Sequence, residues 1–273
     1  MTSEQHTHPF IKMHGLGNDF AIFDARESGL EMFEGRARKL SDRRRGIGCD
    51  QLIVLRNSVA ADVFMEIWNA DGSRVGACGN ATRCVGQLIL KETGKEKVGI
   101  ETDAGHLSAV AAHSLISVNM GPASTDWNTI PVAHETDTSS ADFECGPLSN
   151  PGLVNMGNPH AVFFVDDVAS VDLETLGAKI EHDPFFPERV NVSIVQANGR
   201  TLRQRVWERG AGITEACGSA ACSSVVAATR KGLVDRKATV ALDGGELEVE
   251  WLADGTVQMT GPATFVFEGQ AEL

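Results

Sequence analysis

The 273-residue chain contains no tyrosine, from which no function can be read, but other absences exclude a good deal. No C-x-x-C pair occurs among its six cysteines, so a dithiol redox motif is missing. Cys78 and Cys84, and Cys217 and Cys222, are spaced by six and five residues, which lacks the tight knuckle of structural zinc. Positive charge is short: 24 Lys and Arg against 37 Asp and Glu leave a net charge of −13. That balance disfavours nucleic acid as a partner and offers no basic stripe to an anionic membrane. No stretch reads as a transmembrane or signal segment, and the polar Met1 to Phe10, with two histidines, is expected to be a loose extension. The cysteines are then expected to be thiols in a reducing cytoplasm, and the protein cytoplasmic.

What is present is a duplication. Cys78 and Cys217 lie 139 residues apart, each within Ala-Cys-Gly, and Trp68 and Trp207 keep the same offset. Gly17-Asn18 and Gly157-Asn158 are 140 apart, each followed by an apolar run and an aspartate, Asp24 or Asp166. One insertion or deletion accounts for the difference. The period is far longer than that of a solenoid, so two similar domains facing each other are expected. At 42% hydrophobic and 22% charged, the composition suits a soluble globular pair.

Along the chain, residues 13–24 read as a turn-rich loop running into a short strand, with Asn18 at the strand's mouth. Leu30, Phe33, Ala37 and Leu40 are spaced as a helix over 30–45, whose basic end Arg43-Arg44-Arg45 is expected to be solvated. Strands follow at 52–55 and 63–68. After Cys78, Ala81, Cys84, Val85, Leu88 and Ile89 recur at helical spacing up to Gly94, which places Cys78 at a helix N-terminus. Strands at 98–102, 107–110 and 115–120 lead into a Pro-, Ser-, Thr- and Asp-rich stretch, 121–150, that reads as a linker. The second half repeats the plan. The run after Cys217 is small or apolar almost all round, as a helix buried inside a wrapping sheet would be. The expected division is 1–122, with 264–273 returning to it, and 123–263.

A thiol at a helix start is expected to have its pKa lowered by the dipole and the first-turn amides. Taken singly, a cysteine is more often a small buried hydrophobe, and Cys49, Cys84, Cys145 and Cys222 are read that way. Two cysteines on duplicated domains suggest instead opposed groups flanking one substrate carbon. The amides of residues 79, 80, 218 and 219 would then meet an anion such as a carboxylate. This suits removal of a proton from one face of a carbon and delivery to the other, the carbanion being stabilised by the adjacent carboxylate.

Met13-His-Gly-Leu-Gly-Asn-Asp-Phe, Asn69-Ala-Asp-Gly-Ser, Ala77-Cys-Gly-Asn-Ala-Thr-Arg-Cys, Asn155-Met-Gly-Asn-Pro-His and Trp207-Glu-Arg-Gly-Ala-Gly-Ile-Thr-Glu-Ala-Cys-Gly-Ser-Ala-Ala-Cys occur in order. Together they resemble the diaminopimelate epimerase family over about residues 11–268. The resemblance implies an α+β fold of two pseudo-symmetric domains, each a mostly antiparallel sheet curled round a central helix, with the active site between them. It implies cofactor-independent interconversion of LL- and meso-diaminopimelate, in lysine and peptidoglycan precursor biosynthesis, by a homodimer. Cys78 would be the proton donor and Cys217 the acceptor, with His160 and Glu208 supporting catalysis. Asn18, Gln51, Asn69, Asn158, Asn191, Glu208 and Arg209 would line the substrate pocket, and the amides of Gly79, Asn80, Gly218 and Ser219 would hold the reacting carboxylate. From pattern alone Asn69 and Asn191 could equally be turn or edge residues, His160 structural, and Glu208-Arg209 a solvated pair. Gly76-Ala77 stand where the family is usually bulkier, Ala81 where it often has glycine, and Phe267 where a tyrosine at the dimer contact is common. A proline racemase-like enzyme also uses paired cysteines, but its substrate lacks the second amino-acid head that Arg209, Asn69, Asn158 and Asn191 would serve. A binding protein that had lost one base is disfavoured by the presence of both cysteines.

Overall fold

The computed structural model describes residues 7–273 and divides into two compact units, one running to Val118 and taking back Pro262–Leu273, the other Asn119–Gly261. In the first, β1 (Thr7–Gly15) and β2 (Asn18–Asp24) form a hairpin in which Gly15 faces Asn18. The two connecting residues, Leu16 and Gly17, have φ of 57° and 88°, the left-handed pair that a two-residue hairpin requires. The expected loop at Met13–Gly17 is thus mostly strand. Likewise Thr7–Phe10, expected in a loose extension, belong to β1, while residues 1–6 lie outside the described part.

Helix α1 (Glu34–Ser41) is half the length its apolar spacing predicts. Leu30 and Met32 are buried but precede it, and the chain leaves the helix at Asp42, whose carboxylate accepts from the Arg44 and Arg45 amides. That local bond competes with helix continuation. β3 (Gln51–Arg56) runs parallel to β2 and β4 (Val63–Asn69) antiparallel to β3. Helix α2 (Gly79–Thr93) follows, ended by Gly94 at φ 67°, before β5 (Lys97–Thr102), β6 (Gly105–Ala112) and β7 (Leu115–Pro122).

The second unit opens with the segment read as a linker, which is instead part of its core. Ile130, Val132, Ala141, Phe143 and Leu148 are buried there with Leu153, Phe163, Phe185 and Phe186. The Phe143 ring lies 5.2 Å from those of Phe185 and Phe186. The Asp and Ser residues that suggested a linker close its turns: Asp126 accepts from Asn128 N and Asp137 from Ser139 N. The short pair β8 (Glu144–Cys145) and β9 (Leu148–Ser149) lies in this segment. Then β10 (Gly152–Asn155), β11 (Pro159–Phe164), α3 (Leu173–Glu181), β12 (Asn191–Asn198), β13 (Thr201–Glu208) and β14 (Gly212–Thr214) lead to α4 (Gly218–Arg230). β15 (Lys237–Leu242), β16 (Gly245–Trp251) and β17 (Thr256–Gly261) complete the sheet, and β18 (Thr264–Glu272) returns to pair antiparallel with β1.

The two units share one internal plan. β2 and β3 are parallel, as are β11 and β12, with Phe20 facing Gln51 in one and His160 facing Asn191 in the other. Across the next pair Leu52 faces Trp68, and Val192 faces Trp207. Helix α4 touches β10, β11, β12, β13, β15, β16 and β17, and Ala220 to Ala228 are buried without interruption. A helix wrapped on all sides has no face left for charge, which accounts for its small, apolar sequence. No helix among the described residues is long and apolar enough to cross a membrane.

Candidate active site

Cys78 and Cys217 occupy the same place in their units. Each is the residue before the first helical position, in extended backbone (φ −148° and −124°, ψ 112° and 113°), with its carbonyl accepting the first intrahelical amide, from Thr82 or Ala221. The first-turn amides of a helix lack intrahelical acceptors, so Gly79 and Asn80 in one unit, and Gly218 and Ser219 in the other, stand beside a thiol as hydrogen-bond donors suited to an anion.

In the first unit the strand mouths bring Asn18, the first residue of β2, against the start of α2. Its side-chain oxygen accepts from Asn80 Nδ2 at 3.2 Å and from the Cys78 thiol at 3.8 Å. Its amide donates to Asp50 Oδ2 at 3.0 Å. Gln51 donates to Asn69 Oδ1 at 3.0 Å, and Asn69 in turn to Ser73 Oγ at 3.0 Å, so these two form a second group on neighbouring strand ends. Behind Asn18 stands an ionic brace that the sequence reading missed. Arg43, expected to be a solvated helix end, bridges Asp19 and Asp50, and the buried Lys12 donates to Asp19 at 2.6 Å. Burial alone would push the Asp19 carboxyl up, but Arg43, Lys12 and the Asp50 amide together hold it well below the usual carboxylate range.

In the second unit Asn158 and His160 flank Pro159 at the start of β11. His160 is fully buried; its Nε2 donates to Asn158 Oδ1 at 2.9 Å, while Nδ1 has no partner among the described residues. Burial, helped by the Arg209 charge, pushes its pKa down to about 3, so the ring is neutral and Nδ1 carries an available lone pair. Asn158 Nδ2 donates to Ser219 Oγ at 3.4 Å, and that hydroxyl lies 3.5 Å from Cys217 Sγ. Asn191 ties the start of β11 to the turn after β13: it donates to Pro159 O at 2.8 Å and accepts from Arg209 N at 3.0 Å. Arg209 is exposed, and its Nη1 donates to Glu188 O at 3.1 Å. Glu208 accepts from Thr214 Oγ1, and its charge acts on the Cys217 thiol.

The Cys217 thiol departs from expectation. Burial and then the Glu208 charge push its pKa well above the ordinary value, against smaller opposing help from Ser219 and the Ala220 amide. Magnitudes explain the sign: a helix N-terminus contributes about 0.3–1 kcal/mol to a nearby anion, whereas burying an ionised group beside a carboxylate costs several times that. Cys217 is therefore a neutral thiol at rest, with the Glu208 charge acting on it. Cys49 and Cys84 are buried and also pushed up, Cys84 to about 12, as packed hydrophobes would be. The position matching Glu208 in the first unit is Asn69, and that matching His160 is Phe20. Two copies of one scaffold thus carry different proton chemistry.

The family model described as diaminopimelate epimerase matches residues 10–125 and 152–266. A diaminopimelate epimerase of Rhodospirillum centenum is 50% identical over 265 residues, covering 96% of this chain and 91% of that protein. One from Acidiphilium cryptum is 48% identical over 266 residues, covering 97% and 96%. Among solved structures, a hydroxyproline epimerase from Agrobacterium vitis shares the fold at a TM-score of 0.69 and 15% identity, covering 100% of this chain and 94% of its own. A phenazine biosynthesis protein of the PhzF family from Enterococcus faecalis does so at 0.70 and 12%, covering 98% and 100%. The matched segments contain both cysteine-headed helices and the polar side chains placed around them, and the chain belongs to the diaminopimelate epimerase family.

Proposed function

We propose that the protein interconverts LL- and meso-diaminopimelate by moving one α-proton through two thiols. The observation that carries this reading is the matched pair of cysteines before α2 and α4, with the Glu208 charge acting on Cys217. Cys217 passes its proton to Glu208 and, as thiolate, takes the α-proton; the electron pair left on the carbon spreads into the adjacent carboxylate, which the first-turn amides of Gly79, Asn80, Gly218 and Ser219 stabilise. Cys78, held as a thiol donor by the Asn18 oxygen, delivers its proton to the opposite face. The reverse reaction exchanges the two roles. Asn18, Gln51, Asn69, Asn158, Asn191 and Arg209 bind the rest of the substrate, Glu208 takes the Cys217 proton, and His160 supports catalysis as a neutral ring.

In this reading the thiols supply both proton transfers, so neither pyridoxal phosphate nor a metal is required. The enzyme works in the cytoplasm on a free small molecule, not on nucleic acid or at a membrane. Three consecutive exposed apolar side chains on β18, Phe265, Val266 and Phe267, support a homodimer, whose mass sedimentation would report. Incubation with LL-diaminopimelate in D₂O tests the chemistry. The product should be the meso isomer carrying one α-deuterium; absence of exchange at the α-carbon would refute the assignment.

A further inference from the structure

We infer that Glu181 is a positioning residue that sets the turn carrying Glu208 and Arg209; this rests on the roles proposed for those two residues. Glu181 is the last residue of α3 and is buried, 2% exposed. One carboxylate oxygen accepts from the Trp207 indole N–H at 2.7 Å and the other from the Gly210 amide at 2.9 Å. A single rigid group therefore grips both sides of Glu208-Arg209. The turn is closed by Ala211 N–H to Glu208 O at 3.0 Å, and Gly210 has φ 76°, as the third residue of a type II turn requires. One helical turn before Glu181, a methyl group at Gly177 would come within 2.6 Å of the Trp207 ring, so glycine there is what lets the indole lie on α3 and reach the carboxylate.

The duplication supplies an internal control. Counting back 140 residues, Gly177 and Glu181 correspond to Ala37 and Ser41 on α1, and Ala37, Leu40 and Ser41 are buried just as Gly177, Ile180 and Glu181 are. There, Trp68 gives its indole N–H to Glu66, two residues earlier on its own strand, at 2.6 Å. The matching turn, Asn69-Ala70-Asp71-Gly72, is closed by Gly72 N–H to Asn69 O at 2.9 Å and contains no glutamate–arginine pair. The same tryptophan on the same scaffold is thus held without the helix carboxylate where the turn has no such pair. A clamp needed only for folding would be expected in both copies.

The test is Glu181→Gln, which keeps the volume but cannot accept from both donors. With LL-diaminopimelate, kcat/KM should fall about tenfold or more, kcat dropping and KM rising together, because one turn carries both groups. A second readout needs no substrate: the pH midpoint of Cys217 alkylation by iodoacetamide, followed by mass spectrometry, should move lower as the Glu208 charge leaves the thiol. Gly177→Ala, which pushes the indole off α3, should shift both readouts the same way. Should Glu181→Gln not fold, Trp207→Phe keeps an aromatic ring, removes one donor, and should change both by several-fold. An unchanged KM and unchanged alkylation midpoint, with loss only in the fraction of active protein, would overturn the proposal. A parent protein without epimerase activity whose midpoint still shifts in Glu181→Gln would retire the substrate reading and leave the clamp standing.

Discussion

Asn18 and Asn158 stand 140 residues apart at the same strand start, yet they present opposite ends of their amides to the cysteine helices. The Asn18 oxygen accepts from Asn80 and the Cys78 thiol, whereas Asn158 turns its amide nitrogen to Ser219 and keeps its oxygen for His160. The difference follows from the neighbours. Asp50 claims the Asn18 nitrogen in one unit, and the imidazole N–H claims the Asn158 oxygen in the other. Each neighbour fixes the amide's orientation, and the amide sets what the helix start receives.

For His160 the consequence is a fixed tautomer. Nε2 should carry the proton and Nδ1 none, with the ring neutral across the neutral range, because its pKa is pushed down to about 3. Nitrogen NMR on labelled protein reads this directly. Since the unfolded ring titrates near 6.5, the unfolded state binds more protons between that value and about 3. Folding stability should therefore fall as pH drops through this window, by about 2 kcal/mol at pH 5. His160→Gln should remove that slope; a slope unchanged in the variant would show that another group is responsible.

Glu208→Gln should separate the two causes of the raised Cys217 pKa. Burial remains and the charge goes, so the alkylation midpoint of Cys217 should move down while kcat for epimerisation falls, because the acceptor of the thiol proton is lost. A midpoint that stays in place would mean burial alone sets the thiol.

Acid stability should report the brace behind Asn18. Asp19 has its pKa depressed by Arg43, Lys12 and the Asp50 amide against burial, so its contribution is fully present above the unfolded value near 3.9 and is lost as pH falls below it. Asp19→Asn leaves the buried Lys12 without its carboxylate, with only the Gly48 carbonyl to accept from it, which should cost about 3 kcal/mol at pH 7. The variant should also be less sensitive to acid below pH 4. Chemical denaturation at several pH values checks both, and a variant of wild-type stability would show the pair to be ornamental.

How far these arrangements were legible beforehand differs from residue to residue. Cys78 and Cys217 were, because Trp68 and Trp207, glycines and helical spacing mark the same frame twice. Phe143 was not: the turn-forming aspartates and serines around it break up the apolar residues, and only packing against Phe163, Phe185 and Phe186 tells a core segment from a linker. The sign of the Cys217 shift was also hidden, since a sequence shows the helix dipole and not the depth of burial that outweighs it. Arg43 and Glu181 carry no motif; their roles exist only where chain turns bring Asp19 and Asp50, or Trp207 and Gly210, to them.

Arg209 offers the sharpest test of substrate identity. Its backbone is pinned by Asn191 and its guanidinium by the Glu188 carbonyl, an arrangement that presets a planar donor fork of the kind that grips a carboxylate at two points. Replacing it with Met removes a charge-assisted contact of ~2–4 kcal/mol, so kcat/KM for diaminopimelate should fall by about 30-fold to 1,000-fold. Lys should restore part of this, since it returns the charge without the fork. Cys78, Cys217 and Glu208 stay in place, so slow α-proton exchange on a short amino acid lacking the distal head should be unaffected. If Arg209 were only a surface partner, either substrate would lose less than ~1 kcal/mol. A change under threefold with diaminopimelate would reject the distal-carboxylate role and reopen the choice of substrate within the family.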